Sequence, residues 1–267
     1  MRIFSLMLVL LFPFVVAAEL VVENVKFNNQ AVPVKLLVYT QKQPVGTVIL
    51  SHGSACLPNR RLQWTDLILS WGYNAVVIDH CVTRGVKPHT AQELPRNLQV
   101  EDRIKDYVAV IDWVRKQPFS NGKVALVGHS RGGQGVLEFL NEPVYASKVG
   151  QNAGYSKMAD AVVAYYPGCE LGDSGLKEAA VPTLVHHGEL DTLTPPINCI
   201  HNRLAKNGKL GNITIEMYPR AFHTFDVNIP EMWATSARGQ VLVASYDKKA
   251  AERSFSTTKA FLENLLK

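Results

Sequence analysis

Cleaving an acyl bond without a cofactor takes three side chains: a hydroxyl that attacks, an imidazole that carries its proton, and a carboxylate that orients the imidazole. The chain offers such a set in the order Ser130, Asp191, His223. Ser130 stands in Gly128-His129-Ser130-Arg131-Gly132-Gly133, after the apolar run 124–127 and before a helical pattern. That is G-x-S-x-G between a strand and a helix, the setting of a nucleophile elbow. A serine on so sharp a turn has a strained backbone and projects its hydroxyl clear of the sheet. Gly128 and Gly132 remove Cβ atoms that would strike neighbouring backbone. The helix that follows directs its first N–H groups at the turn, where an oxyanion would form. Taken alone, the motif also describes a Gly-rich turn that holds a serine by chance. The acid and the base must therefore be sought elsewhere.

The acid is expected at Asp191, in Gly188-Glu189-Leu190-Asp191-Thr192-Leu193-Thr194-Pro195, just past the apolar run 182–187. Glu189 and Asp226 are its competitors. The base is expected at His223, in the segment that follows Tyr218-Pro219 and runs on through Thr224-Phe225-Asp226. His223 would take the serine proton during attack and return it to the leaving group, with Asp191 holding its tautomer. Oxyanion donors are expected from the backbone N–H of Arg131 and of Ser54 or Ala55, because His52-Gly53 follows directly on the strand at 47–51. His52 itself reads as a brace for that loop. His80, His89, His129, His186, His187 and His201 read as structural or exposed. Arg84 and Arg131 could attract a substrate carboxylate, or be exposed or paired with an acid. Phe225 and Trp233 could line an acyl pocket, or belong to the core.

These residues need a scaffold, and the pattern supplies one. Apolar runs at 47–51, 74–78, 124–127, 160–166, 182–187 and 213–218 alternate with helical patterns at 59–71, 99–116 and 244–266. The expectation is an α/β fold with a mostly parallel sheet and helices on both faces. Residues 19–28 and 32–40, separated by Asn28-Asn29-Gln30, read as an antiparallel hairpin at its edge. Residues 142–159, with Pro143, Gly150 and Gly154, read as a loop or insertion. In such sheets ligands sit beyond the carboxyl ends of strands, where Ser130, Asp191 and His223 all fall.

Composition narrows the class. Apolar residues make up 47% and charged residues 19% of 267, so the chain can bury a core and is not disordered. A net charge of +5, spread along the chain, gives no basic stripe for nucleic acid. Arg2, the apolar run 3–16 and Val16-Ala17-Ala18 read as a signal peptide over residues 1–18, with one domain over 19–267. The run is too short to span a bilayer, so export to the periplasm or outside the cell is expected, without stable membrane insertion. Export makes the four cysteines candidates for disulfides. Cys56 and Cys81 each follow one of two adjacent parallel strands, and Cys169 and Cys199 lie past the ends of another two, so the pairs Cys56–Cys81 and Cys169–Cys199 are expected. No C-x-x-C spacing points to a metal.

Together these pieces resemble the dienelactone hydrolase family of α/β-hydrolases. The likeness rests on the elbow, the acid turn, Tyr218-Pro219 through His223-Thr224-Phe225-Asp226, Ser245-Tyr246-Asp247, and Thr83-Arg84-Gly85 after the strand that ends at Asp79. It covers nearly all of 19–267. The resemblance implies an esterase or lactonase acting on a small molecule, with no metal or organic cofactor. The family's namesakes use a cysteine nucleophile and are cytoplasmic, whereas here the position holds Ser130 and the chain starts with an export pattern. An amide-bond hydrolase and a non-catalytic binding protein of the same fold are the alternatives. Oligomeric state is not legible.

Overall fold

The computed structural model describes residues 18–27, 30–56, 60–86, 98–151, 154–169, 179–204, 211–235 and 239–267. The expected signal peptide up to Ala17, the turn at Asn28-Asn29, His89 and the side chain of His201 lie outside the described residues. Eight described strands form one sheet: β1 (Ala18–Phe27), β2 (Gln30–Thr40), β3 (Val45–Ser51), β4 (Asn74–Asp79), β5 (Ser120–His129), β6 (Ala161–Tyr165), β7 (Ala179–Gly188) and β8 (Gly211–Tyr218). Their order across the sheet is β1-β2-β4-β3-β5-β6-β7-β8. β1 pairs antiparallel with β2, and β2 antiparallel with β4; all other neighbours are parallel. The edge hairpin and the parallel β3–β4 pair are therefore as the sequence implies.

Parallel strands need helical crossovers, and these cover both faces. Alternate residues of the central strands enter different cores. Ile49, Val76, Leu126 and Val162 pack with Ile104, Val108, Ile111 and Val136 from α2 (Val100–Arg115) and α3 (Arg131–Phe139). Val48, Val77, Val127 and Val163 pack on the other side with Trp64, Ile68 and Leu262 from α1 (Arg60–Ser70) and α6 (Lys248–Glu263). Buried on both sides, these strands read as continuous apolar runs in the sequence. α2 starts where Gln99 and Asp102 form a capping box, which satisfies N–H groups that a helix start leaves open.

Two stretches differ from expectation. Residues 142–159 are not a loop: α4 (Glu142–Val149) and a short 3-10 turn (Tyr155–Met158) occupy them. Pro143 sits in the first turn, where its missing N–H costs nothing, and Gly150 closes the helix with φ 66°. Residues that looked like breakers are the helix's own start and stop. The closing helix is also shorter than the pattern at 244–266. Met232–Thr235 (β9) and Val241–Ala244 (β10) form a separate two-stranded sheet, and α6 begins only after Asp247 caps it by accepting from Ala250 N–H. A further helix, α5 (Ile197–Leu204), follows the acid turn.

Candidate active site

Ser130 occupies the turn between β5 and α3 with φ 54° and ψ −117°. That backbone is disfavoured for any residue with a Cβ, by roughly 1–3 kcal/mol, and must be held by its surroundings. Ser130 N–H donates to Tyr165 C=O at 2.9 Å, and Ser130 C=O accepts from Gln134 N–H at 2.9 Å. The glycines are explained by contact. A Cβ on Gly128 would meet the Gly132 carbonyl and lie 2.8 Å from Gly133 N; one on Gly132 would lie 2.6 Å from the His52 carbonyl.

His223 comes to Ser130 from the segment that follows β8, the edge strand of the sheet. Its Nε2 is 3.0 Å from Ser130 Oγ and its Nδ1 is 2.7 Å from Asp191 Oδ2. Both His223 and Asp191 are buried. The loop of His223 is pinned by a bridge to Ala244 and by Ser245 N–H donating to the His223 carbonyl at 3.0 Å. Asp191 is saturated with donors. Its Oδ1 accepts from Leu193 N–H and Thr194 N–H, and its Oδ2 from the Thr194 hydroxyl, each at 2.9 Å. Burial alone would raise its pKa. The charge of His223 and hydrogen bonds from His187, His223 and Thr194 N–H outweigh that and hold the carboxyl well below the usual carboxylate range.

The competitors for the acid's place are engaged elsewhere. Glu189 is exposed. Asp226 is buried and accepts from Trp64 Nε1–H at 2.8 Å and from the Tyr166 hydroxyl at 2.7 Å. Sequence reading did not single out Tyr166 or Thr194. Tyr166 has φ 37°, its ring centroid lies 4.5 Å from that of His223, and its carbonyl oxygen lies 3.0 Å from Thr194 Oγ1. Only Thr194 left a trace in the sequence, as a hydroxyl residue inside the acid turn.

The other expected site residues fall as follows. Gly53 lies against Ser130: a Cβ there would be 3.2 Å from Ser130 Cβ. Ser54 and Ala55 come next in that segment, and Arg131 opens α3 with its Nη1 donating to Gln134 Oε1. Arg84 turns inward. Its Nη1 and Nη2 fork onto the two oxygens of Asp106 at 3.0 and 2.7 Å, and Nη1 also donates to the His80 carbonyl. Phe225 is fully buried among Tyr165, Tyr166 and Tyr218, under the site and part of the core. Trp233 stands on β9, 65% exposed, and donates Nε1–H to Glu231.

Both disulfides are formed, Cys56–Cys81 with a Cα separation of 6.0 Å and Cys169–Cys199 with 5.1 Å. Each joins segments that leave the same edge of the sheet. His52, Asp79 and Cys81 bring ligand atoms within 4.8 Å of one another. With Cys81 in a disulfide and Asp79 Oδ1 accepting from Cys81 N–H and Val82 N–H, that group offers no thiolate to an ion.

Comparison with known proteins places this geometry in context. The sequence profile of the dienelactone hydrolase family matches residues 35–266. A carboxymethylenebutenolidase from Pseudomonas putida is 33% identical over 138 residues, 51% of this chain and 51% of that protein, so the match spans about half the length of the relative. Among solved structures, a dienelactone hydrolase from Anabaena variabilis superposes with a TM-score of 0.65 at 17% identity, over 94% of this chain and 99% of that one. The carboxylesterase Cest-2923 from Lactobacillus plantarum does so with 0.65 at 14% identity, over 94% and 98%. These two likenesses show the fold, which is that of the α/β-hydrolases.

Proposed function

This chain belongs to the dienelactone hydrolase family, and from that premise we propose that it hydrolyses carboxylic esters or lactones through an acyl-enzyme on Ser130. The observation that carries this reading is the unbroken line Ser130 Oγ, His223 Nε2, His223 Nδ1, Asp191 Oδ2, with steps of 3.0 and 2.7 Å across the ring.

Ser130 Oγ attacks the carbonyl carbon as its proton passes to His223 Nε2. Asp191, kept ionised, stabilises the imidazolium and fixes Nδ1–H toward itself. The carbonyl oxygen gains negative charge beside Gly53 and the start of α3. There the N–H groups of Arg131 and of Ser54 or Ala55 receive it. Collapse breaks the bond to the alkoxide, which takes the proton from Nε2. Water then repeats the sequence, and the acid leaves with Ser130 restored. In a lactone the leaving alkoxide stays tethered to the acyl group, and the same steps apply.

The substrate is a small ester or lactone, and no organic cofactor or metal enters the steps. Arg84 is spent on Asp106 and Phe225 on the core, so neither is assigned to the substrate. Trp233 is exposed on β9, whose partner strand β10 bridges to His223 through Ala244, and it keeps its place as a proposed acyl-side contact. Two disulfides support an exported protein. Among the described residues no helix is long and apolar enough to cross a membrane. The test is turnover of p-nitrophenyl esters of graded chain length, lactones and a matched amide, with fluorophosphonate labelling. Ser130→Ala should abolish labelling and ester turnover together. A folded wild type that neither labels nor turns over any ester favours the binding-protein alternative, and faster amide than ester cleavage favours the peptidase.

A further inference from the structure

Behind the nucleophile lies a second serine, histidine and aspartate in line. Ser51 Oγ is 3.0 Å from His80 Nε2, and His80 Nδ1 is 2.6 Å from Asp106 Oδ2. The distances match those of the first trio, but Ser51, His80 and Asp106 are 1%, 0% and 0% exposed, so no substrate reaches them. Ser51 also stands within β3, not on a turn, and its Oγ is shared with the Tyr107 hydroxyl at 2.7 Å and Arg103 Nη1 at 3.2 Å.

The proton directions in this cluster are set by chemistry. Arg84 and Arg103 can only donate. Burial, then the charges of Arg103 and Arg84, push His80 well below the usual imidazole range, so it is neutral. With Nδ1–H given to Asp106, its bare Nε2 accepts from the Ser51 hydroxyl. Ser51 Oγ in turn accepts from Tyr107 and Arg103. Each of these contacts then pairs a donor with an acceptor, and the Ser51 proton has a fixed place; Arg103 Nε is the one buried polar atom of the cluster that makes no hydrogen bond. This line is a brace, not a nucleophile.

Its working end is His52. Arg103 Nη1 donates to the His52 carbonyl at 2.9 Å. His80 N–H donates to His52 Nε2 at 3.1 Å, which leaves the ring proton on Nδ1, and Nδ1–H donates to the Gly53 carbonyl at 2.7 Å. The carbonyls of residues 52 and 53 are thus each held by a partner, Arg103 on one and the His52 ring on the other. In a trans peptide the N–H points opposite to the C=O, and the described residues contain no cis peptide. Holding these two carbonyls therefore fixes the directions of the N–H groups of Gly53 and Ser54, each opposite to the carbonyl of its own peptide. Gly53 is also the residue whose Cβ would stand 3.2 Å from Ser130 Cβ and 3.8 Å from Oγ.

We propose that His52 and Arg103 are positioning residues that aim the N–H groups of the 53–54 segment at the oxyanion, and that the buried Ser51–His80–Asp106 line holds them in that role. The inference rests on the serine-hydrolase reading and selects Ser54 over Ala55 as the second donor.

The test compares wild type, His52→Leu and His52→Asn on a p-nitrophenyl ester, together with thermal midpoints and affinity for a trifluoromethyl ketone, which forms a tetrahedral oxyanion on a serine. Asparagine can place an N–H near the position of Nδ1; leucine cannot. His52→Leu should lower kcat about 10²-fold, the scale of one lost oxyanion donor, with KM changed less than about threefold on that same argument. Ketone affinity should fall in parallel, and His52→Asn should recover most of both. Unchanged kcat in folded His52→Leu, or a loss of kcat with ketone affinity intact, overturns the proposal. Should the leucine variant not fold, His52→Gln replaces it: glutamine reaches the place of Nε2 and not of Nδ1, so equal kcat in the Asn and Gln variants also overturns it. Failure of the underlying reading is seen separately, as ester turnover that survives Ser130→Ala.

Discussion

Asp191→Asn tests the proposed reaction at the atom where the structure is most explicit. In wild type, Asp191 Oδ1 accepts two backbone N–H groups, from Leu193 and Thr194. In asparagine that position must stay an oxygen, because an NH₂ there would face two donors. The amide nitrogen then takes the place of Oδ2, 2.7 Å from His223 Nδ1. It can only donate, so Nδ1 becomes the bare nitrogen and the ring proton moves to Nε2. Nε2 is the atom 3.0 Å from Ser130 Oγ, and once protonated it cannot accept the serine's proton. The hydroxyl and imidazole stay in place while the base is lost. The expected loss is about 10⁴-fold in kcat, the scale for a triad held in the wrong tautomer, or about 5 kcal/mol in the barrier. The same change has a signature in stability. A carboxyl held low in the folded protein stabilises it above the unfolded carboxylate value of about 3.9, and that contribution is lost as pH falls below it. The variant should therefore be less stable than wild type at pH 7 and approach it in acid. The assays are kcat on a p-nitrophenyl ester and urea unfolding from pH 7 to pH 3. Activity within tenfold of wild type, or a stability gap that widens toward pH 3, would refute the reasoning.

Two further outcomes follow from buried groups. Arg84→Met leaves the fully buried Asp106 without its guanidinium fork, and should cost about 3–5 kcal/mol in urea unfolding. Burial already pushes the Asp106 carboxyl up to about 7 against the pull of Arg84, and removing Arg84 raises it further. Protonation then relieves the stranded charge, so the deficit should be larger at pH 8 than at pH 5; a deficit below about 1 kcal/mol at both would contradict the fork's role. Replacing Cys56 and Cys81 together by serine opens a link across 25 residues, which should lower stability by about 3 kcal/mol. Because Cys56 lies two residues past Ser54, kcat should fall as well, whereas a denaturation midpoint indifferent to reductant would mean that the link does not bear on stability.

The grouping of Ser130, Asp191 and His223 was legible because each sits in a short, local signature: an elbow with glycines at fixed offsets, an acid turn, and a histidine past a strand end. The cysteine pairs were legible for a related reason, since parallel neighbours deliver their C-terminal ends to one edge. The brace behind His52 was not. Ser51 lies inside a strand, His80 just past another, and Arg103, Tyr107 and Asp106 on a helix, and nothing in their spacing reports that packing brings them together. Arg84 read as a candidate for a substrate carboxylate because sequence shows a charge and not its partner. α4 was missed because Pro143 and Gly150 mean opposite things inside a helix and at its ends. β9 and β10 were missed because four-residue strands, largely exposed, carry little periodicity.

The strand order has a consequence for how the site can change. β5 stands between two halves of the sheet: β3, β4, β2 and β1, built from earlier residues, lie on one side, and β6, β7 and β8, built from later ones, on the other. Ser130, at the tip of β5, receives Gly53 from the earlier half and Asp191 and His223 from the later. In the proposed reaction, recognition of the developing charge and handling of the proton therefore fall to separate portions of the sequence. Substitutions can accumulate in one portion while the other keeps its task, and only the central strand must stay compatible with both.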